Sequence, residues 1–322
     1  MADRIQSNYN GMLTVRKEAG YTSNDVVAKL RGILHMRKIG HGGTLDPDAE
    51  GVLPVCLGNG TRLVDLIAER DKEYVALLRL GIATDTQDLS AGAVILSECS
   101  GERIRESVTP ERLAAVCRSF VGEYDQIPPM YSALKQNGRR LYELAREGKT
   151  VPRAPRRVRI HALLVENVEL PCVTLRVQCS KGTYIRTLCD DIGTKLGVGG
   201  AMEHLLRTRV GGFFLEDALT LDGIRELQEE GRLCEHILPP DSFFASAPPL
   251  HVLPEHDFRL RNGNVMEPGQ TDGDGAALRA LRASAQGEED VRVRMYFSDG
   301  RFAGLYSFDG QRLRPEKMFL PD

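Results

Sequence analysis

The sequence predicts an α+β fold and argues against a doubly wound parallel sheet. Segments with the two-residue apolar period of strands sit beside segments with helical spacing, without regular strand–helix alternation along the 322 residues. Near the C-terminus, apolar runs are separated by Asp299-Gly300 and Asp309-Gly310, turn dipeptides typical of β-hairpins.

A short strand at 12–15 leads to Thr22-Ser23-Asn24-Asp25, where a hydroxyl and a carboxylate three residues apart can cap a helix start. Val26, Val27, Leu30, Ile33 and Leu34 then recur at helical spacing. After the glycine-rich loop GHGGTLDPDAEG (40–51), the runs 52–57 and 74–80 read as strands. Residues 84–110 are polar and rich in turn signals, and Pro110 starts a helix through Leu113, Val116 and Phe120. Residues 126–159 differ in character: QIPPMYSALKQNG, a short helix at Leu141–Arg146, then a basic extended piece containing proline. In Cys172–Cys179, Val173, Leu175, Val177 and Cys179 alternate with Thr174, Arg176 and Gln178, the pattern of a half-exposed strand. It runs through SKGT (180–183) into a helix with apolar Ile185, Leu188, Cys189, Ile192 and Leu196, closed by a glycine cap at 197–200. LPPDSFFASAPP (238–249) has four prolines and reads as a linker to a small β-rich domain. The expected division is therefore 1–240, with an insertion at about 126–159, and 250–322.

Composition excludes several classes. No apolar run approaches the ~20 residues that span a bilayer, and Met-Ala-Asp-Arg lacks the apolar core of a signal peptide. A cytoplasmic chain with no membrane association is expected. The seven cysteines contain no C-x-x-C pair, so neither a zinc site nor a disulfide framework is indicated, and reduced thiols such as Cys179 and Cys189 fit as small buried hydrophobes. His35, His161, His204, His236, His251 and His256 show no metal-ligand spacing. H-E-x-x-H, G-x-S-x-G and Walker motifs are absent.

The net charge of −3 hides an asymmetry: residues 1–214 carry a net +5, and residues 215–322 a net −8. Within 135–159 lie nine cations and two glutamates: Lys135, Arg139, Arg140, Arg146, Lys149, Arg153, Arg156, Arg157 and Arg159 oppose Glu143 and Glu147. Such a patch is either the footprint of a phosphate backbone or a solvated charged face.

Two clusters could carry chemistry. In the 40–51 loop, His41, Asp46, Asp48 and Glu50 lie among glycines that permit unusual backbone angles and close ligand approach. Read from residue types alone, it could present one carboxylate to a substrate or be an acidic surface turn. SKGTYIR (180–186) ends a strand and opens a helix, placing Lys181, Tyr184 and Arg186 at an anion-friendly terminus, or simply capping a helix among solvated cations.

KIGHGGTLDPDAEGVLPVCLGNGTRL resembles the signature of the TruB family of tRNA pseudouridine synthases. The resemblance continues, in the family's order, through KEYVALLRLGIATDTQD (72–88), QIPPMYSALKQNGRRLYELAREG (126–148) and CSKGTYIRTLCDDIGTKLG (179–197), covering most of 11–213. It weakens over the last hundred residues, which resemble the family's variable RNA-binding appendage. Departures are Glu18 after Lys17 in place of proline, Gly42 in place of threonine, and the acidic Asp48 and Glu50 beside the site.

The resemblance implies a pseudouridine synthase core, a mixed and mainly antiparallel sheet with helices. It implies isomerisation of the T-arm loop uridine at position 55 of tRNA. Asp46 is implied as the catalytic nucleophile and Arg186 as its partner, Tyr74 as the aromatic beside the uracil, Tyr184 as a pocket residue, and Leu205 as an apolar wall. His41 is implied to take the place of the extruded base. No metal or cofactor is called for, since substrate and product are isomers, and a monomer needing no protein partner is expected. The competing readings are a guide-RNA-dependent synthase of the same fold, whose members lack the basic insertion, and a non-catalytic tRNA-binding or folding protein. An unrelated carboxylate hydrolase lacks a second catalytic carboxylate at a plausible position.

Overall fold

The computed structural model describes residues 9–136, 138–273, 275–284 and 291–320. The Met-Ala-Asp-Arg start and Asn137 of the basic segment lie outside the described residues. The main sheet runs in the order Gly11–Lys17, Glu50–Leu57, Gly200–Val210, Lys72–Leu80, Cys172–Cys179, Arg156–Glu169 and Gly122–Gln126. Its pairings are antiparallel except where Leu206 and Arg207 lie parallel to Glu50 and Gly51. That parallel contact brings backbones very close: a Cβ on Gly51, whose φ is +111°, would lie 2.1 Å from the Arg207 carbonyl oxygen. Only glycine fits there.

Two layers cover one end of the sheet because its first strands are apolar on both faces. Leu13, Val15, Leu53, Val55 and Leu57 bury against helices Ser23–Leu34 and Leu221–Glu229. Met12, Val52 and Cys56 face the other way, onto Leu63, Ile67, Val210 and Phe213. At the other end, Tyr74, Ala76, Leu78, Val173, Leu175 and Val177 meet Leu113 and Val116 of Pro110–Arg118 and Leu188 and Ile192 of Ile185–Leu196. The capping box at Thr22 and Asp25 is formed, and Gly197 closes its helix at φ +77°.

Three expectations need correction. The stretch 84–110 is not irregular: it holds the strand Ile95–Glu98, paired with Ile82–Thr84, and the helix Gly101–Ser107 capped by Ser100. All four residues of Ile95–Glu98 are exposed, so no apolar alternation marks the strand. The helix from Pro110 ends at Arg118, short of Phe120. The proline-rich 238–249 is also no free linker. Leu238 exchanges backbone hydrogen bonds with Met12 at 2.8 Å each way, and Phe244 packs on Phe302 and Phe319. Phe319, 4% exposed, sits in the same apolar cluster as Met12 and Val52. In the second sheet Phe302–Phe308 pairs with Val291–Tyr296 on one side and Leu313–Met318 on the other, as the Asp-Gly turns predict, and Pro249–His251 adds a parallel edge to Val291–Tyr296.

Candidate active site

The glycine loop leaves strand Ile39–His41 and re-enters the sheet at Glu50. Buried Leu45 and Ala49 pin it, and Lys17 holds its far side. The Lys17 ammonium is buried and donates to the carbonyls of Pro47 (2.9 Å) and Ala49 (2.5 Å). Asp46 is thereby presented between two fixed residues.

Arg186 meets it from the first turn of Ile185–Leu196. Its Nε lies 3.0 Å from Asp46 Oδ2 and its Nη2 3.3 Å from Oδ1, a two-point contact of fork on carboxylate. The guanidinium is only 6% exposed, whereas the Asp46 side chain keeps a 43% exposed edge facing solvent. The other guanidinium corner is occupied as well. Nη1 reaches the Thr86 carbonyl (3.3 Å) and Asp88 Oδ2 (3.5 Å), and Nη2 also donates to the Tyr131 carbonyl (3.0 Å). Burial pushes the Asp46 pKa up, Arg186 opposes that shift, and Asp88 adds to it.

Tyr74 stands on the strand Lys72–Leu80, directly across from Arg207, with Leu205 two residues away on the same strand as Arg207. Both Tyr74 and Leu205 are buried. Burial raises the Tyr74 phenol pKa, while Arg207, hydrogen-bonded to it, pulls it down. Arg207 is 1% exposed and holds the loop by its backbone: Nε donates to the Val52 carbonyl (2.7 Å), Nη1 to Thr44 (3.2 Å) and Nη2 to Gly43 (3.2 Å). His41 ends its strand partly buried, and burial, then the Arg207 charge, lowers its pKa. A neutral imidazole is favoured. Tyr184 is the helix N-cap, clamped by Gln126, whose Oε1 accepts from its N–H (2.8 Å) and whose Nε2 donates to its carbonyl (2.9 Å). Arg207 ties Tyr74 to the loop that carries Asp46, and Arg186, two residues after Tyr184, holds Asp46 itself, so these side chains share one site.

Other candidates are placed differently. Lys181 pairs with Glu69, so it is not a free cation at the helix start, and Thr183 bonds back to Ser180 instead of capping. Glu50 pairs with His204 (3.1 Å), and Asp48 is exposed at the loop tip. In the basic segment, Arg139 and Lys149 share Glu147, Arg157 holds Asp125 and Glu123, and Arg153 donates to the Pro128 carbonyl. Lys135, Arg140, Arg146, Arg156 and Arg159 are exposed, with Arg140 and Arg146 both beside the Tyr142 ring. Sequence reasoning assigned no site role to Lys17, Asp88, Gln126 or Arg207. Neither Lys17 nor Arg207 stood out in the sequence, because Arg16 adjoins the first and Glu203, His204 and Arg209 share a strand with the second.

Residues 31–185 match the family model described as TruB family pseudouridylate synthase (N terminal domain), and residues 186–245 match the tRNA pseudouridylate synthase B C-terminal domain. A relative named tRNA pseudouridine synthase B from Lachnoclostridium phytofermentans is 47% identical over 97% of this chain and 100% of its own. One of the same name from Bacillus pumilus is 38% identical over 92% of each chain. Among solved structures, a Cbf5-Nop10-Gar1 complex contains a chain with TM-score 0.68 and 27% identity, covering 97% of this chain and 85% of that one. An H/ACA RNP bound to a substrate RNA containing 2′-deoxyuridine gives TM-score 0.67 and 25% identity, with the same coverage.

Proposed function

The chain belongs to the TruB family of pseudouridylate synthases and isomerises uridine to pseudouridine in tRNA, and from that premise we propose that it acts on the T-arm loop uridine at position 55 with Asp46 as nucleophile. The observation that carries the proposal is the two-point contact of Arg186 on Asp46.

Isomerisation breaks the N1–C1′ bond, turns the uracil and forms a C5–C1′ bond, while C5 loses a proton and N1 gains one. The Asp46 carboxylate can open the sequence by attack on the ribose C1′ or on the pyrimidine C6. Arg186 favours its ionised form against burial and fixes its direction. The uridine is extruded to reach it, since the reacting atoms are hidden within a folded T-loop. His41, neutral and at the loop entrance, fills the place the base leaves. Tyr74 stacks on the uracil and handles the C5 proton, Leu205 is the apolar wall, and Tyr184 lines the pocket beside Arg186.

Around the site, the exposed Lys135, Arg140, Arg146, Arg156 and Arg159 grip the T-arm backbone. Arg139, Lys149, Arg153 and Arg157 reach phosphate only by leaving the partners they already have. The enzyme works as a stand-alone cytoplasmic monomer, with 1–240 as its catalytic unit and 250–322 tuning RNA affinity. The basic segment supports independence from a guide RNA.

Two measurements test this. Pseudouridine mapping in tRNA from a strain lacking the chain, before and after its restoration, should show loss and return at the T-arm position alone. Tritium release from C5-labelled T-arm stem-loops should proceed with purified protein and no added RNA. Release only with a guide RNA, or none at all, rejects the proposal.

A further inference from the structure

The Arg186 guanidinium is aimed from behind by the segment 84–90, and that segment turns on a residue in an unusual conformation. Gln87 has φ +65°, in the left-handed region that a side chain other than glycine or asparagine rarely occupies. Its two neighbours are the groups that hold Arg186 Nη1: the Thr86 carbonyl before it and the Asp88 carboxylate after it. Around this pivot the Asp88 carboxylate is fixed, with Oδ1 accepting from Thr86 Oγ1 (2.7 Å) and Ser90 Oγ (2.6 Å) and Oδ2 left to face Arg186.

Gln87 itself points at the helix that carries Arg186. Its Oε1 accepts from Thr187 Oγ1 at 2.7 Å, and its Nε2 donates to Asp190 Oδ2 at 2.9 Å. Thr187 is 2% exposed and adjoins Arg186 in the chain, and Asp190 lies one helical turn beyond it. One amide therefore spans the gap between the loop and the helix, while the main chain of Gln87 and Leu89 pairs with Met202 at 3.0 Å on the opposite side.

We infer that Gln87 is a positioning residue for the reaction: its side-chain amide clips the 84–90 segment to the helix Ile185–Leu196, so that Thr86 and Asp88 hold Arg186 square to Asp46. The inference rests on the proposed role of Asp46. The Met202 bonds hold the main chain of the turn on its other side, so loss of the clip frees the side that faces the helix. The Thr86 carbonyl and Asp88 carboxylate then swing together, and the guanidinium loses its rear support. Substrate contacts are untouched, since Gln87 faces the helix and not the open edge of Asp46. The effect therefore falls on the chemical step and not on RNA binding.

The test compares Gln87→Gly, Gln87→Glu and wild type in the full-length protein. Glycine adopts φ +65° without strain and so separates the clip from the backbone turn. Glutamate keeps the shape and the acceptor but presents a second carboxylate to Asp190 in place of a donor. Both variants should bind a T-arm stem-loop with unchanged affinity, and their single-turnover rates should fall on the order of tenfold or more, the scale expected for a misaligned reacting group. A merely structural tie would instead lower the melting temperature and leave the rate on bound RNA intact. Wild-type single-turnover rates in Gln87→Gly overturn the inference. If Asp46→Asn is inactive in the same assay, that result leaves the assignment of the nucleophile standing; if Asp46→Asn is active, the assignment itself fails.

Discussion

Asp46→Asn is the sharpest perturbation of the site, because it removes one charge and leaves the shape. The carboxylate receives two contacts from Arg186, at 3.0 and 3.3 Å. An amide keeps one acceptor oxygen, so about one charge-assisted hydrogen bond disappears. Such a bond is worth ~1.5–3 kcal/mol when fully desolvated. With 43% of the side chain exposed, solvent screening brings this loss to about 1 kcal/mol, and relief of the buried charge, the larger influence on the Asp46 pKa, offsets it at neutral pH. Arg186 is not orphaned, since Asp88 and the carbonyls of Thr86 and Tyr131 remain within reach. The sign of the pH effect adds a check. The folded Asp46 pKa is raised, so ionisation in the native state carries a penalty that is absent below the ordinary carboxylate range and present above it. The stability cost of the asparagine variant should therefore be smaller at pH 7 than at pH 3. Activity behaves otherwise. Loss of the proposed covalent nucleophile should remove far more than the ~10²–10⁴-fold typical of an acid–base group, leaving no detectable tritium release. Asp48→Asn, at an exposed loop tip, should stay within about twofold of wild type. Activity of pure Asp46→Asn within tenfold of wild type, with mass spectrometry excluding deamidation back to aspartate, would refute the reasoning.

Three further outcomes follow from the same geometry. Arg186→Lys replaces a fork that meets two carboxylates and two carbonyls with a single ammonium, and should cost ~10²–10³-fold in single-turnover rate. Removing the charge in Arg186→Gln should move the acid limb to higher pH, because the Arg186 charge is the main influence holding the Asp46 pKa down; an unmoved limb in a pH–rate profile counts against the pairing. Replacing Arg140, Arg146 and Arg156 together with glutamine should flatten the slope of log affinity against log salt by about 0.7–0.9 for each phosphate no longer neutralised, whereas an unchanged slope makes the segment a solvated face. Phe319→Ala should destabilise the whole protein by about 3–5 kcal/mol in chemical denaturation, since Phe319 is buried with Met12 and Val52; unfolding confined to the second sheet would show that the shared cluster does not couple the two.

How much of this was legible in the sequence depended on whether the signal was local. The capping box at Thr22, the helix Leu141–Arg146 and the alternation of Cys172–Cys179 are set by neighbours a few residues apart, and they appear where the pattern puts them. Ile95–Glu98 gave no alternation because its apolar residues Ile95 and Leu96 are adjacent in the chain and both stay exposed in a two-stranded ribbon. LPPDSFFASAPP misled for the opposite reason: its prolines announce a break in regular structure, but Phe243 and Phe244 announce burial, and burial prevailed. The site divides in the same way. Residue types marked the glycine loop as able to present a carboxylate, and the resemblance singled out Asp46 within it and Arg186 as its partner. What surrounds that pair comes from four separate stretches of chain: Lys17 under the loop, Asp88 behind the guanidinium, Gln126 on the neck of the helix, and Arg207 across the sheet from Tyr74. Lys17, Gln126 and Arg207 bond mainly to main-chain groups, which leave no mark in a sequence, while Asp88 bonds to the side chains of Thr86, Ser90 and Arg186. The proposed catalytic pair is written in side chains, while much of its alignment comes from main-chain positions that only the folded sheet supplies. Substitutions at those four residues should accordingly disturb rate and stability together, whereas a change at Asp46 separates the two.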